Sequence, residues 1–127
     1  MTSVEVPYSI ACVLPSLVVL DVTNEVAHTV SSADTTGGIA FVTAGEDGLV
    51  RVNEREDGFF RDVGALLERL VPFDADARER LLALLLGTRS EGIPFADGLL
   101  CLGQWQRILV IGFSEDFVPE WRVTLVG

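Results

Sequence analysis

Residues 92–113, GIPFADGLLCLGQWQRILVIGF, decide the fold. Three apolar runs stand in this stretch, Gly92–Phe95, Leu99–Leu102 and Gln106–Phe113, and only Ala96-Asp97-Gly98 parts the first two. An Asp-Gly pair between apolar runs marks a tight hairpin, because the favoured turn needs positive φ at both central positions, which glycine accepts and aspartate tolerates. Links this short cannot carry a crossover, so the strands must run antiparallel. The pattern extends outward from there. Leu17–Val22 is a β-branched run that reads as a buried strand, and Trp121–Val126 reads as the last strand. Ile39–Ala44 and Leu49–Val52 are expected to form a further hairpin across Glu46-Asp47-Gly48.

Between the strands the apolar period changes to that of helices. Thr23 is expected to cap a short helix over Asn24–Ser32, with Val26 and Val30 inward and His28, the single histidine, turned to solvent. Phe60, Val63, Leu67 and Leu70 recur at helical spacing after Asp57, which predicts a helix over Gly58–Val71 stopped by Pro72. Asp74–Leu86 reads as another helix. Its leucines cover most of the circumference, which predicts burial on nearly all sides, with Gly87 as a left-handed cap. No repeat or linker interrupts the chain. The whole, residues 1–127, reads as one α+β domain: a largely antiparallel sheet or sheets with two to three helices packed on one side.

The 127 residues carry a formal net charge of −10 and a sequence pI near 4.3. That field repels phosphate backbones and anionic lipid, which argues against nucleic-acid and membrane partners. All nine basic residues are arginine. Without lysine there is no Schiff base and no P-loop lysine. The apolar stretch Ile10–Leu20 has no basic residue before it and contains Pro15, so it resembles neither a signal peptide nor a membrane span. Cys12 and Cys101 lie in apolar surroundings and read as buried, reduced thiols of a cytoplasmic protein. A hydrophobic fraction of 49% and a mean hydropathy of +0.41 are high enough to suggest apolar surface hidden against further copies of the chain.

Few residues remain to carry chemistry. One histidine and two distant cysteines supply no zinc-ligand spacing, and no metal site is assigned. Asn53-Glu54-Arg55-Glu56-Asp57, with Glu46 and Asp47, is the densest group of hard oxygen ligands. Acids before a helix N-terminus also favour the helix dipole and need no metal, and this second reading is preferred. Trp105 and Gln106 leave a turn at Gly103 and can either pack in the core or wall a pocket.

These residues also carry a family likeness. The order of a leucine-rich helix closed by Gly87, then Ile93-Pro94, Asp97-Gly98, Leu102-Gly103 and Trp105-Gln106, with a final strand to Gly127, resembles the end of the YjbQ-like family, often labelled secondary thiamine-phosphate synthase. Upstream, Leu20-Asp21-Val22-Thr23-Asn24-Glu25-Val26 is similar to that family's Asp-Ile-Thr stretch, and Asn53-Glu54 to its Asn-Glu signature. The likeness runs from about Val18 to the end of the chain. It implies an α+β homotrimer with a histidine-lined polar site and a weak synthase activity on phosphorylated thiamine precursors. The family histidines fall here on Gly45 and Arg80, the loop between the two later helices is cut to Phe73–Asp76, and Gly112 replaces a glutamate, while Arg122 stands near a family arginine. Losing a positioned acid or base costs roughly 10²- to 10⁴-fold in rate. The expectation is therefore a trimeric small-molecule or anion-binding protein with lost or altered catalysis, its ligand held by Asn53, Arg80, Trp105 and Gln106. The alternative is a thiamine-phosphate synthase-type transferase, with Glu54 as base or magnesium ligand and Arg80 on phosphate. Magnesium enters only under that alternative, and the cofactor is otherwise left open.

Overall fold

A computed structural model describes residues 9–14, 17–45, 48–72, 77–113 and 120–127, with backbone alone for 9–14, 17 and 57. Two four-stranded antiparallel sheets face each other. The first joins β1 (Ser9–Leu14), β2 (Leu17–Asp21), β7 (Gln106–Gly112) and β4 (Gly48–Glu54) in the order β1-β2-β7-β4. The second joins β6 (Leu99–Leu100), β5 (Ser90–Ala96), β3 (Gly37–Ala44) and β8 (Trp121–Val126) in the order β6-β5-β3-β8. Among the described residues the helices are α1 (Thr23–Ser31), α2 (Asp57–Leu70) and α3 (Arg78–Leu86). The α+β class with antiparallel sheets holds.

The first sheet is covered on both faces, which is why β2 and β7 read as unbroken apolar runs rather than alternating ones. Val18, Leu20, Val50, Ile108 and Val110 point into the sandwich, where they meet Ala40, Val42, Ile93 and Phe95 of the second sheet. Val19, Leu49, Leu109 and Ile111 point the other way, onto Phe60, Leu67 and Val71 from α2 and its end and onto Leu82 of α3. The strand period of two thus sorts one sheet's side chains between two separate cores. Helix α1 belongs to the sandwich core. Val22, Val26 and Val30 are fully buried there, each adding about 1.5–3 kcal/mol of hydrophobic stabilisation, and His28 is exposed as its place on the helix requires.

Asp97 (φ 54°) and Gly98 (φ 76°) make the predicted tight turn between β5 and β6. The other predicted hairpin does not form. β3 pairs with β5 and β8, and β4 pairs with β7, so the two strands lie in different sheets. An Asp-Gly signal marks a change of direction, and here β4 crosses to the opposite sheet because its Leu49 and Val50 complete cores on both faces. Glu46 and Asp47 lie outside the described residues.

Two features of α3 also differ from expectation. Leu82 is buried, but Leu81, Leu84 and Leu85 are exposed, Leu84 to 81%, so within one chain the helix presents one inward stripe. Gly87 is not left-handed (φ −43°, ψ 144°). A side chain there would instead collide with the Ala83 carbonyl oxygen at the end of α3. Cys101 is exposed rather than buried, because β6 ends at Leu100 on the rim of the second sheet. The expectation for the Cys12 side chain lies outside the described residues.

Candidate functional site

Asn53 and Glu54 are neighbours near the end of β4, and the strand period sends them to opposite faces of the first sheet. Asn53, with Arg51, lines a cavity of about 390 Å³ between the sheet and α2. Its floor is apolar: Leu49, Leu109, Ile111 and Phe113 from the sheet side, Phe59, Phe60 and Val63 from α2. The Phe59 and Phe60 rings meet edge to face with centroids 5.4 Å apart. At the mouth, Nη2 of Arg51 donates to the Leu86 carbonyl oxygen at 3.2 Å, and Nη1 lies 3.8 Å from the Glu91 carboxylate. The two contacts tie the arginine to the end of α3 and to β5. The cavity can hold an apolar body and present a guanidinium and an amide to its polar end.

Glu54 lies in a second cleft, of about 480 Å³, with Arg55, Glu56, Gln104, Trp105 and Arg107. Trp105 is 69% exposed and walls this cleft rather than packing in the core. Gln106 stands opposite Glu54 in the β4–β7 register, but its Oε1 accepts the Gly103 N–H at 2.7 Å and so closes the turn that carries Trp105. Arg80 is exposed on α3 and lines neither cavity. The arginine that turns inward on this helix is Arg78, whose Nε donates to the Val71 carbonyl oxygen at 3.1 Å. The described helix begins at Arg78, and its buried stripe runs through Arg78 and Leu82; the expected start near Asp74 lies outside the described residues. Within one chain, the predicted residues are therefore divided: Asn53 in one cavity, Glu54 and Trp105 in another, Gln106 in the turn that supports it, Arg80 in neither.

The oxygen-rich segment before α2 has a local explanation. Glu56 accepts from the Gly58 N–H at 2.7 Å and the Phe59 N–H at 2.9 Å, one on each carboxylate oxygen. It is the N-cap of α2 and spends its charge on two helix N–H groups that have no partner within the helix. Among the described residues no three histidine, cysteine, aspartate or glutamate side chains gather as a metal site. Among them, too, no helix is long and apolar enough to cross a membrane.

A buried polar network centres on Asp21, to which sequence reading gave no site role. Asp21, at the end of β2, is only 2% exposed. Its Oδ1 accepts from the Thr23 N–H at 3.0 Å and the Thr23 hydroxyl at 2.7 Å. Its Oδ2 accepts from Nε of Arg107 at 2.8 Å and from Nη1 of Arg55 at 3.4 Å. The Thr23 hydroxyl in turn accepts the Ile108 N–H at 2.7 Å. Asp21, not Thr23, therefore receives the first free N–H of α1. Burial alone would raise its pKa, but the hydrogen bonds from Arg107 and Thr23 and the Arg107 charge outweigh burial and hold the carboxyl below its ordinary value. The Asp-x-Thr spacing was a readable signal for a local turn. The arginine partners, 34 and 86 residues away, were not.

Comparison with known proteins agrees with this architecture. The family model described as "UPF0047 protein YjbQ-like" matches residues 15–126. A UPF0047 protein of Archaeoglobus fulgidus is 35% identical over 117 residues, spanning 85% of this chain and 88% of the relative. A solved structure from Clostridium acetobutylicum, described as an uncharacterized conserved protein of the YjbQ/UPF0047 family, superposes with a TM-score of 0.78 at 24% identity, covering 87% of this chain and 92% of that one. A hypothetical protein from Aeropyrum pernix does so at 0.75 with 29% identity, covering 87% and 90%. Through the match over nearly its full length and the shared two-sheet fold, this chain belongs to the YjbQ-like UPF0047 family.

Proposed function

We propose that this protein is a small-molecule-binding member of its family that holds its ligand without turning it over. The carrying observation is the lining of the cavity at β4 and α2: an apolar floor, Arg51 and Asn53 at the polar end, and one carboxylate, Glu91, already facing Arg51. Such a lining suits a small apolar body with an anionic head, a phosphate or carboxylate, and offers no histidine, lysine or thiol for proton transfer near neutral pH. Arg51 takes the anchoring role that the sequence suggested for Arg80. The exposed Ile39, Phe41 and Val126 on the outer face of the second sheet, with Leu84 and Leu85 on α3, support assembly into a homotrimer. An exposed Cys101 thiol fits a reducing cytoplasm.

The second reading is a transferase on phosphorylated thiamine precursors with magnesium. Arg51 beside Asn53 favours it, since that pair suits a phosphate. Against it, Glu54 faces away from that pair. The test has two arms. Purified protein is heated with octyl phosphate or octanoate, and a rise in melting temperature that Arg51→Ala removes supports the binding role. The same protein is given a pyrimidine pyrophosphate, a thiazole phosphate and magnesium beside an Asn53→Ala, Glu54→Ala double variant. Thiamine phosphate formed by the parent and not by the double variant overturns the non-catalytic reading. Light scattering on the eluting protein tests the trimer.

A further inference from the structure

Among the described residues β4 pairs only with β7, and the chain between α3 and β5 runs along its open edge. The Val50 N–H donates to the Thr88 carbonyl oxygen at 2.9 Å, and the Ala44 N–H of β3 donates to that of Arg89 at 2.8 Å. This course brings the end of α3 and the start of β5 to one residue, Arg51. Its Nη2 donates at 3.2 Å to the Leu86 carbonyl oxygen, one of the last carbonyls of α3, which have no partner within the helix. Its Nη1 faces the Glu91 carboxylate at 3.8 Å. The first contact fixes the guanidinium at the cavity mouth. The second is too long for a hydrogen bond and is an ion pair alone.

Among the described residues, Arg51 and Glu91 are the only charged side chains that line the cavity. Their charges cancel, so an anionic head does not meet a bare cation there. It must take Nη1 from Glu91 and then lie beside that carboxylate, which repels it. Glu91 has no other ionic partner among the described residues, so its charge is directed at Arg51 alone. A direct charge-assisted hydrogen bond is short and strong beside the loose pair that it replaces, so the exchange can run. Both side chains are partly exposed, at 47% and 30%, and solvent screens the pair, which limits the competition to a few-fold in affinity. We infer that Glu91 is an internal competitor for Arg51: it takes the place of the ligand's anionic head and weakens anion binding, while uncharged ligands of the same shape are unaffected. Glu91 is thus a specificity-determining residue, and its effect is to narrow the preference for anions that Arg51 creates. The inference rests on the cavity as the ligand site and adds what limits its affinity.

The test titrates octanoate and 1-octanol, which share a chain length and differ in the head group, into the full chain and into Glu91→Gln by calorimetry. Glu91→Ala replaces the glutamine variant if that one does not fold. The variant should bind octanoate about threefold to fivefold more tightly than the parent and 1-octanol with unchanged affinity. Octanoate binding seen only in the variant also supports the inference, since the competitor then hides the site in the parent. Equal octanoate affinity in parent and variant overturns it and leaves the cavity reading in place. So does a parallel gain for 1-octanol, which means that Glu91 only narrows the mouth. A loss of octanoate affinity overturns it as well, since Glu91 would then be positioning Arg51 for the anion. Octanoate binding in neither protein overturns this inference and the cavity reading together.

Discussion

Nε of Arg107 donates to Oδ2 of Asp21 at 2.8 Å, across 86 residues of sequence. This bond joins the C-terminal end of β2 to the start of β7, its neighbour in the first sheet, at the point where α1 begins. It links two neighbouring strands of the first sheet and sets the direction of an arginine that lines the cleft beside Trp105.

Acid should loosen this fastening. The Asp21 carboxyl is held below its ordinary value in the folded chain, so its contribution is fully present above the unfolded pKa of about 3.9 and is lost as pH falls through the lower folded value. Urea unfolding at a series of pH values from neutral to about 3 should show stability falling over that window. Asp21→Asn should cost about 2 kcal/mol at neutral pH and flatten the acid decline, since a charge-assisted bond is lost. A parallel decline in the variant would assign the acid sensitivity to other carboxylates.

Glu56 holds the first N–H groups of α2, and Glu56→Ala should cost about 1 kcal/mol. The more specific readout is hydrogen exchange. The Gly58 and Phe59 amides should exchange faster in the variant while amides in the middle of α2 keep their protection. Unchanged rates at those two amides would show that the cap contributes nothing in solution.

Along α3, Leu82 is fully buried and Leu84 is 81% exposed. Leu82→Ala should therefore lose about 2–5 kcal/mol, as buried leucine truncations do. Leu84→Ala should stay within about 0.5 kcal/mol in the separated chain. Denaturant midpoints of the two variants, read with the oligomeric state, check this, and a reversed order would mean that α3 is turned differently on the sheet.

Gly38 has φ of 153°, and a Cβ added there would fall on the Val126 carbonyl oxygen. Gly38→Ala must either strain the backbone or part β3 from β8, and should cost more than about 1 kcal/mol. Gly37→Ala is the control, since its Cβ would sit at an ordinary 3.5 Å from the nearest atom, the Phe95 carbonyl oxygen. Equal melting temperatures for the two variants would count against the tight β3–β8 approach.

Much of the chain's local structure was legible because its causes are local. The period of Val22, Val26 and Val30, the spacing of Phe60 and Leu67, and the Asp97-Gly98 turn depend on residues within a few positions of one another. The pairing of Ile39–Ala44 with Leu49–Val52 failed for the opposite reason. A turn signal cannot say whether the returning strand joins the same sheet, since that depends on which faces β7 and β5 leave uncovered. Burial around α3 was misjudged because a leucine-rich composition does not specify an inward stripe, which the sheet beneath it selects.

By itself the sequence determined the class of fold, the direction-reversing turns, the family and the poverty of proton-transferring side chains. Those follow from short-range periodicity, from motif order and from which residue types are present at all. Only the tertiary structure decided that Asn53 and Glu54 part company, that Arg78 rather than Arg80 turns inward, and that Arg55 and Arg107 converge on Asp21. Each of these rests on strand register and long-range packing, where a shift of one residue exchanges the two faces of a sheet.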